Sequence, residues 1–256
     1  MSAGKSTEHC TVCGTKLDYR DRGETLTCSY CGRQEEGHIS CSRGHYLCND
    51  CHGRNIVTLI EDFCRTTTLK DPMEIAELLM GHPGLPMLGC EHAYITAGAL
   101  LAALRNSPYG KSDADIIGEA FLRTGKQAHG GYCGLTGVCG VTPAAGAVFS
   151  VFLGARCGTD REQNITMEAA TRVSRAITGR TGPSCCKAYV RAAIPVAVSL
   201  FQERFGIILP LREPAVCMHS AKHPHGCREE KCPHFRREPS RDIFIINRAH
   251  SVCGPT

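Results

Sequence analysis

The first 52 residues contain cysteines and histidines at a spacing that binds zinc. Most stand in pairs separated by two residues, which lets both side chains reach one ion at about 2.3 Å. Four pairs give eight ligands, enough for two tetrahedral zinc ions. The eight residues are Cys10, Cys13, Cys28, Cys31, His38, Cys41, Cys48 and Cys51. Because the segment has no apolar periodicity, we expect the metal to replace a hydrophobic core.

The spacing leaves open how the pairs divide between the two ions. They can close in sequence, or alternate as a cross-brace in which the first and third pairs bind one ion and the second and fourth the other. His45 and His52 can each replace a cysteine. The pattern resembles zinc-ribbon and RING-like modules, and for such a module protein docking is a commoner role than nucleic-acid binding.

Further cysteines coincide with three predicted helix starts, at Cys90, at Cys139 and at the adjacent Cys185 and Cys186. A helix N-terminus carries unpaired N–H groups and a partial positive charge, which lowers the pKa of a thiol. We expect Cys90, Cys139 and one of the adjacent pair to hold an iron–sulfur cluster of the 4Fe–4S type, with an open position that acts as a Lewis acid. The alternative is that these cysteines are buried as small apolar residues.

A glycine-rich loop at residues 129–140 leads into one of these helix starts. Its five glycines in eleven residues let backbone N–H groups turn toward an anion such as a carboxylate. His129 in this loop, and Glu91 with His92 beside the first helix-start cysteine, are candidates for acid–base catalysis. Lys187 is either a catalytic amine or a surface cation.

The C-terminal segment has three cysteines and four histidines within eighteen residues. Such a density is hard to explain as a hydrophobic core. We expect Cys217, Cys227 and Cys232 to form a further zinc or iron–sulfur site, or to supply ligands to the centre in the preceding domain. Four cysteines receive no role: Cys64, Cys133, Cys157 and Cys253.

The elements that must position these groups divide the chain into three segments. Residues 1–56 form the irregular zinc module, residues 57–213 an all-helical domain and residues 214–256 a Cys/His-rich tail. The fold class is therefore mainly α, and residues 91–106, apolar nearly all round, predict a buried helix. A short strand is expected at residues 242–247. Other helices are expected to start near Asp71, Ser112 or Asp113, Thr142, Asn164 or Thr166, and Pro183.

The high cysteine content limits the chain to two classes of protein. Eighteen cysteines in 256 residues are typical of secreted disulfide-bonded proteins or of intracellular metal proteins. The opening residues lack the apolar run of a secretory signal, and no apolar stretch is long enough to span a bilayer. We therefore expect a reduced, cytoplasmic metal protein. The net charge of +4 is too small to indicate a nucleic-acid partner.

The chain resembles an uncharacterised, cysteine-rich domain family of archaea and anaerobic bacteria that often accompanies radical-SAM proteins. The segments that carry this resemblance are GHPGLPMLGCEHAYITAGALLAALRN, GGYCGLTGVCGVTPAAGA, GPSCCKAYVRAA and CMHSAKHPHGC. The resemblance brings no established activity with it.

A second, distant resemblance covers about 120 residues and points to iron–sulfur-dependent serine dehydratases and cysteine desulfidases. In those all-helical enzymes the cluster cysteine lies in a Gly-Cys-Thr-Glu-Pro turn before a helix of small residues. Here Gly89 and Cys90 match the turn, but Thr-Glu-Pro is absent. The resemblance implies a lyase-like or desulfidase-like reaction and leaves the substrate undetermined.

Two functions follow as hypotheses. The first is an iron–sulfur enzyme for a small amino-acid-like or sulfur-containing substrate. The second is a non-catalytic accessory protein whose zinc module docks a radical-SAM or other metalloenzyme.

Overall fold

The computed structural model describes residues 10, 15–29, 31–48, 56–110, 115–180 and 182–236. This part of the chain is mostly helical and contains one two-stranded sheet, which confirms the mainly α prediction. The strand predicted at residues 242–247 lies outside the described residues.

The sheet is a hairpin that carries cysteines at both ends. Strands β1 (Leu17–Thr27) and β2 (Gln34–Cys41) pair antiparallel, so that the first residue of each faces the last residue of the other. Cys28 follows β1 directly and begins the turn, whereas Cys41 ends β2 at the opposite end. The hairpin therefore separates two groups of potential ligands.

Eight helices follow in the described residues, and none of them is long and apolar enough to cross a membrane. They are α1 (Ile56–Thr66), α2 (Pro72–Met80), α3 (Glu91–Arg105), α4 (Ile116–Gly125), α5 (Tyr132–Leu135), α6 (Val141–Leu153), α7 (Arg161–Thr178) and α8 (Cys186–Phe205). Two single-turn 3-10 helices, Ser220–Lys222 and Glu229–Lys231, lie in the tail.

Helix α3 is the centre of the helical core, as its apolar sequence predicts. It contacts α1, α2, α4, α6 and α8, and twelve of its fifteen residues are buried. Stacked rings of Phe149 and Phe201, with centroids 4.2 Å apart, join α6 to α8. The packing fixes where each helix begins, and the starts of α3, α6 and α8 carry the cysteines.

Two helix boundaries follow local signals. The Asp71 carboxylate accepts hydrogen bonds from the N–H groups of Met73 and Glu74, and Pro72 begins α2 as predicted. Gly206, in the left-handed region at φ 66°, ends α8.

Two predicted helix starts differ from the structure. Helix α4 begins after Asp115, whose carboxylate accepts a hydrogen bond from the Gly118 N–H. Ser112 and Asp113 lie outside the described residues. Helix α7 begins at residue 161, before the predicted start at Asn164, because the polar residues in between are themselves good helix formers.

The contact between α1 and α3 gives a stability prediction for Gly98. A Cβ at this position would lie 2.5 Å from the fully buried Cys64 Sγ and 3.2 Å from the Phe121 ring. Gly98→Ala gains about 1 kcal/mol of helix propensity but costs about 1–3 kcal/mol from overpacking. We expect a net loss in the free energy of unfolding, measured by urea denaturation.

The double variant Gly98→Ala/Cys64→Ala removes the clashing sulfur and should recover part of that loss. Gly130→Ala is the control, because no atom lies within 4 Å of its Cβ position. Equal stability of Gly98→Ala and the wild type would contradict this packing.

Candidate metal centres

The first candidate centre, site A, lies at one end of the hairpin and consists of Cys10, Cys41 and His45. Their ligand atoms lie within 4.8 Å of one another. The Nδ1 of His45 is 3.4 Å from the Cys41 Sγ and 3.9 Å from the Cys10 Sγ. Gly44, at φ 79°, makes the tight turn that brings His45 back to Cys41.

Site B lies at the other end of the hairpin and consists of Cys28, Cys31 and Cys48, again within 4.8 Å. The Sγ atoms of Cys31 and Cys48 are 3.7 Å apart. Tetrahedral zinc with bonds of about 2.3 Å brings its sulfurs to about 3.8 Å, so the spacing fits one ion. The Cys48 N–H donates a hydrogen bond to the Cys28 Sγ at 3.5 Å.

This arrangement corresponds to the cross-brace, because ligands that alternate along the chain come together. The structure differs from the sequence expectation at His38, which is exposed with its Nδ1 3.2 Å from the Arg20 carbonyl oxygen. Strand β2 turns His38 away from Cys41, and His45 from the following turn takes its place. Cys13, Cys51 and His52 lie outside the described residues.

A third candidate centre, site C, is a cavity of about 540 Å³ at the starts of α3, α6 and α8. Four cysteines line it: Cys90, Cys133, Cys139 and Cys186. Cys90 precedes α3, Cys139 lies two residues before α6, and Cys186 is the first residue of α8. The three helix-start positions therefore come together, with Cys186 rather than Cys185 as the third.

Cys133 received no role from the sequence, yet it lines site C from α5. Gly131, at φ 80°, precedes this four-residue helix, none of whose residues is buried. The N–H groups of Tyr132, Gly134 and Thr136 bond within the loop, so they are not turned toward an anion as expected. The signal that identifies Cys133 is that it shares one glycine-rich loop with Cys139.

The four thiols of site C are spread more widely than those of sites A and B. In the described part of the chain, only sites A and B bring three ligand atoms within 4.8 Å of one another. One tetrahedral ion needs sulfurs about 3.8 Å apart. Site C, as it stands, therefore does not match the ligand geometry of one tetrahedral ion.

Burial, rather than the helix N-terminus, determines the thiol pKa values in site C. It raises the pKa of Cys139 to about 11 and that of Cys186 to about 12, and it raises the pKa of Cys90. The expectation of a lowered pKa is wrong for these thiols, because desolvation outweighs the helix dipole. A metal that binds them must displace their protons.

His92 lines the same cavity and has one ring nitrogen without a hydrogen-bond partner. Its side chain is fully buried, and its Nδ1 lies 3.1 Å from the Gly89 carbonyl oxygen. Nδ1 must therefore carry the proton, which leaves Nε2 as an acceptor, and Nε2 has no hydrogen-bond partner. Burial, with a smaller contribution from the charge on Lys187, lowers the pKa of His92 to about 3. The ring is neutral at pH 7.

The other acid–base candidates lie in different surroundings. His129 lines the cavity but is exposed, with its Nε2 3.3 Å from the Lys126 carbonyl oxygen. The Glu91 carboxylate folds back over Gly89, where a Cβ would lie 2.0 Å from it. Lys187 is not a surface cation: it is 2% exposed, and its Nζ donates to the Met80 carbonyl oxygen at 2.7 Å.

The tail packs against the start of α8, beside site C. The Nε2 of His223 donates to the Ser184 carbonyl oxygen at 3.1 Å, and Arg228 donates to the Pro183 carbonyl oxygen. His225 lines the cavity of site C. The tail cysteines are therefore held close to the adjacent pair Cys185 and Cys186.

Residues 60–235 match a family model described as "Family of unknown function (DUF5714)". The chain belongs to this family. No curated protein and no solved structure matches it. Membership of an uncharacterised domain family is thus confirmed. The DUF5714 region includes site C and the tail cysteines and leaves out sites A and B.

The position of His45 gives a prediction for the zinc content of the N-terminal module. His45→Ala removes a ligand from site A and should lower bound zinc from about two ions per chain to about one. His38→Ala, the matched control, should keep both ions. Zinc is counted by elemental analysis after anaerobic gel filtration. Loss of zinc from His38→Ala, with none from His45→Ala, would contradict the structural assignment.

Proposed function

We propose that the DUF5714 region is an iron–sulfur enzyme for a small amino-acid-like or sulfur-containing substrate, with its cluster in site C. The observation that carries this proposal is the placement of four thiols around one cavity, with no three of their sulfurs within 4.8 Å of one another. Thiolates are the usual ligands of iron–sulfur clusters.

Three of the four cysteines are anchored by the ends of long helices. Cys90, Cys139 and Cys186 lie at the starts of α3, α6 and α8, and the Cys186 Sγ accepts a hydrogen bond from the Gly89 N–H at 3.4 Å. Hydrogen bonds to sulfur are typical of cluster ligands. Cys133 lies instead on the exposed α5. We infer that the three anchored cysteines hold the cluster and that Cys133 lies at the entrance.

A cluster with an open iron supplies a Lewis acid to a substrate hydroxyl or thiol group. We infer that His92 supplies the complementary group, because it lines the cavity and its neutral Nε2 has no hydrogen-bond partner. It is placed to accept the proton that an elimination removes from the substrate carbon. The Gly89 carbonyl fixes the tautomer and the orientation of the ring.

Anaerobic reconstitution with iron and sulfide tests the proposal, followed by incubation with L-cysteine and L-serine. Visible charge-transfer absorption, together with release of sulfide from L-cysteine or ammonia from L-serine, would support it. A protein that binds only zinc and no sulfide would refute it.

A second candidate is the accessory protein that docks another metalloenzyme. Three apolar side chains near the cavity are exposed on the glycine-rich loop, Tyr132, Leu135 and Val138, at 47%, 78% and 47%. Such a surface suits contact with a protein partner. A cluster with four cysteine ligands would favour this candidate, since it leaves no open iron.

Alanine variants distinguish the two candidates. Cys139→Ala should abolish the visible absorption and the iron bound in site C, because it removes an anchored ligand. Cys133→Ala should retain the cluster, and Cys157→Ala, which changes an exposed cysteine away from the cavity, is the control. Loss of the cluster from Cys133→Ala would show four cysteine ligands and contradict the enzyme.

The role of His92 is tested by His92→Asn. The asparagine amide can still donate to the Gly89 carbonyl oxygen, but it has no counterpart of the basic Nε2. We expect unchanged iron content and a kcat reduced about 10²- to 10⁴-fold. The readouts are iron analysis and initial rates with the better of the two amino-acid probes. A kcat equal to that of the wild type would exclude His92 as the proton acceptor.

A further inference from the structure

A strap from the tail, defined here as residues 223–228, is fastened to one wall of site C. Two of its side chains are buried, His223 at 9% and Arg228 at 7% exposed. The His223 Nε2 donates to the Ser184 carbonyl oxygen at 3.1 Å, and Arg228 donates to the Pro183 carbonyl oxygen. Because both of these acceptor residues line site C, the strap forms part of its boundary.

His225 lies between the two buried anchors and lines site C itself. Since the His223 Nε2 carries a proton, its Nδ1 is an acceptor, and it receives the His225 backbone N–H at 3.3 Å. Gly226, at φ 80°, turns the chain directly afterwards. The His225 ring makes no hydrogen bond with a described residue, so its N–H is available to a ligand.

Ser184 offers a second donor on the same wall. The Tyr189 hydroxyl donates to the Ser184 Oγ at 3.4 Å, which leaves the Ser184 hydroxyl proton available to a ligand. His223 connects the two donor residues, because its ring bonds to the backbone of Ser184 on one side and to the backbone of His225 on the other. The strap thus places both donors at one side of the cavity.

The charge behind this wall favours an anion. The Arg228 guanidinium lies over the Tyr189 ring, 5.8 Å from its centroid, and its Nε and Nη1 have no hydrogen-bond partner. Among the described residues, no lysine or arginine lines the cavity itself. A ligand would therefore meet neutral donors with a buried positive charge behind them. Such donors form stronger hydrogen bonds with an ionised acceptor than with a neutral one.

We propose that His225 and Ser184 form a subsite for the carboxylate of the substrate. The subsite rests on the proposed function, because it assumes that the thiol or hydroxyl group of the same substrate binds in site C. His92 remains free to accept a proton, since it lies at the start of α3 rather than on the strap. His225 therefore determines which substrates bind, and a substrate without a carboxylate gains nothing from it.

Two thiols that differ only in the carboxylate test the subsite, 3-mercaptopropionate and ethanethiol. Each is titrated into the full-length protein after anaerobic reconstitution with iron and sulfide, and Kd is measured from the change in visible absorption. We expect the wild type to bind 3-mercaptopropionate more tightly, by about 10-fold or more. His225→Ala and Ser184→Ala should each reduce this preference about 10-fold, with iron content and the Kd of ethanethiol unchanged.

Matched variants separate the subsite from a structural role of the strap. Ser184→Ala keeps the backbone carbonyl that accepts from His223, so the strap stays in place. His225→Gln keeps an N–H donor and should retain part of the preference. Lys222→Ala, which changes an exposed residue just before the strap, is the control and should retain all of it.

The outcomes distinguish the subsite from the proposed function. Equal affinity of the wild type for the two thiols would overturn the subsite and leave the cluster in site C standing. An unchanged preference in both His225→Ala and Ser184→Ala would do the same. A visible spectrum that responds to neither thiol would refute the open iron, and with it the proposed function on which the subsite rests.

Discussion

Two buried cations constrain the end of the helical domain at which α3, α6 and α8 begin. Arg228 and Lys187 are almost completely removed from water there, beside thiols that burial keeps protonated. Neutral thiols cannot offset two buried cations, whereas metal-bound thiolates can. In the proposed centre at the helix starts, metal-bound thiolates would balance these buried cations. Among the described residues of the N-terminal hairpin, the buried apolar cluster contains Cys28, Tyr46 and Cys48, so we propose that a bound metal would supply much of its stability.

Local features of the fold could be predicted from the sequence. Asp71 caps α2 through its own carboxylate, and the apolar stretch that became α3 is buried on every side. The spacing of the paired cysteines in the hairpin predicts metal ligands, and the structure brings several of them together in sites A and B. These signals act over a few residues, so they do not depend on how distant parts of the chain meet.

Features that depend on long-range packing could not be predicted. The choice of His45 over His38 follows from the direction in which strand β2 presents each side chain. The approach of the tail to the start of α8 depends on long-range packing, because His223 donates to the Ser184 carbonyl oxygen, 39 residues away along the chain. The helix dipole suggested lowered thiol pKa values, but burial within the assembled core had the larger effect. The choice of ligands and the thiol pKa values thus depend on long-range packing as well as on residue type.

X-ray absorption spectroscopy of the anaerobically isolated protein, at the iron and zinc edges, tests the central claim most directly. We expect iron with sulfur neighbours in its first shell and iron neighbours in its second, as in a polynuclear cluster. Zinc should show sulfur together with nitrogen neighbours, consistent with His45 in site A. Iron bound by nitrogen and oxygen alone, or zinc as the sole metal in the protein, would contradict clusters at the helix starts.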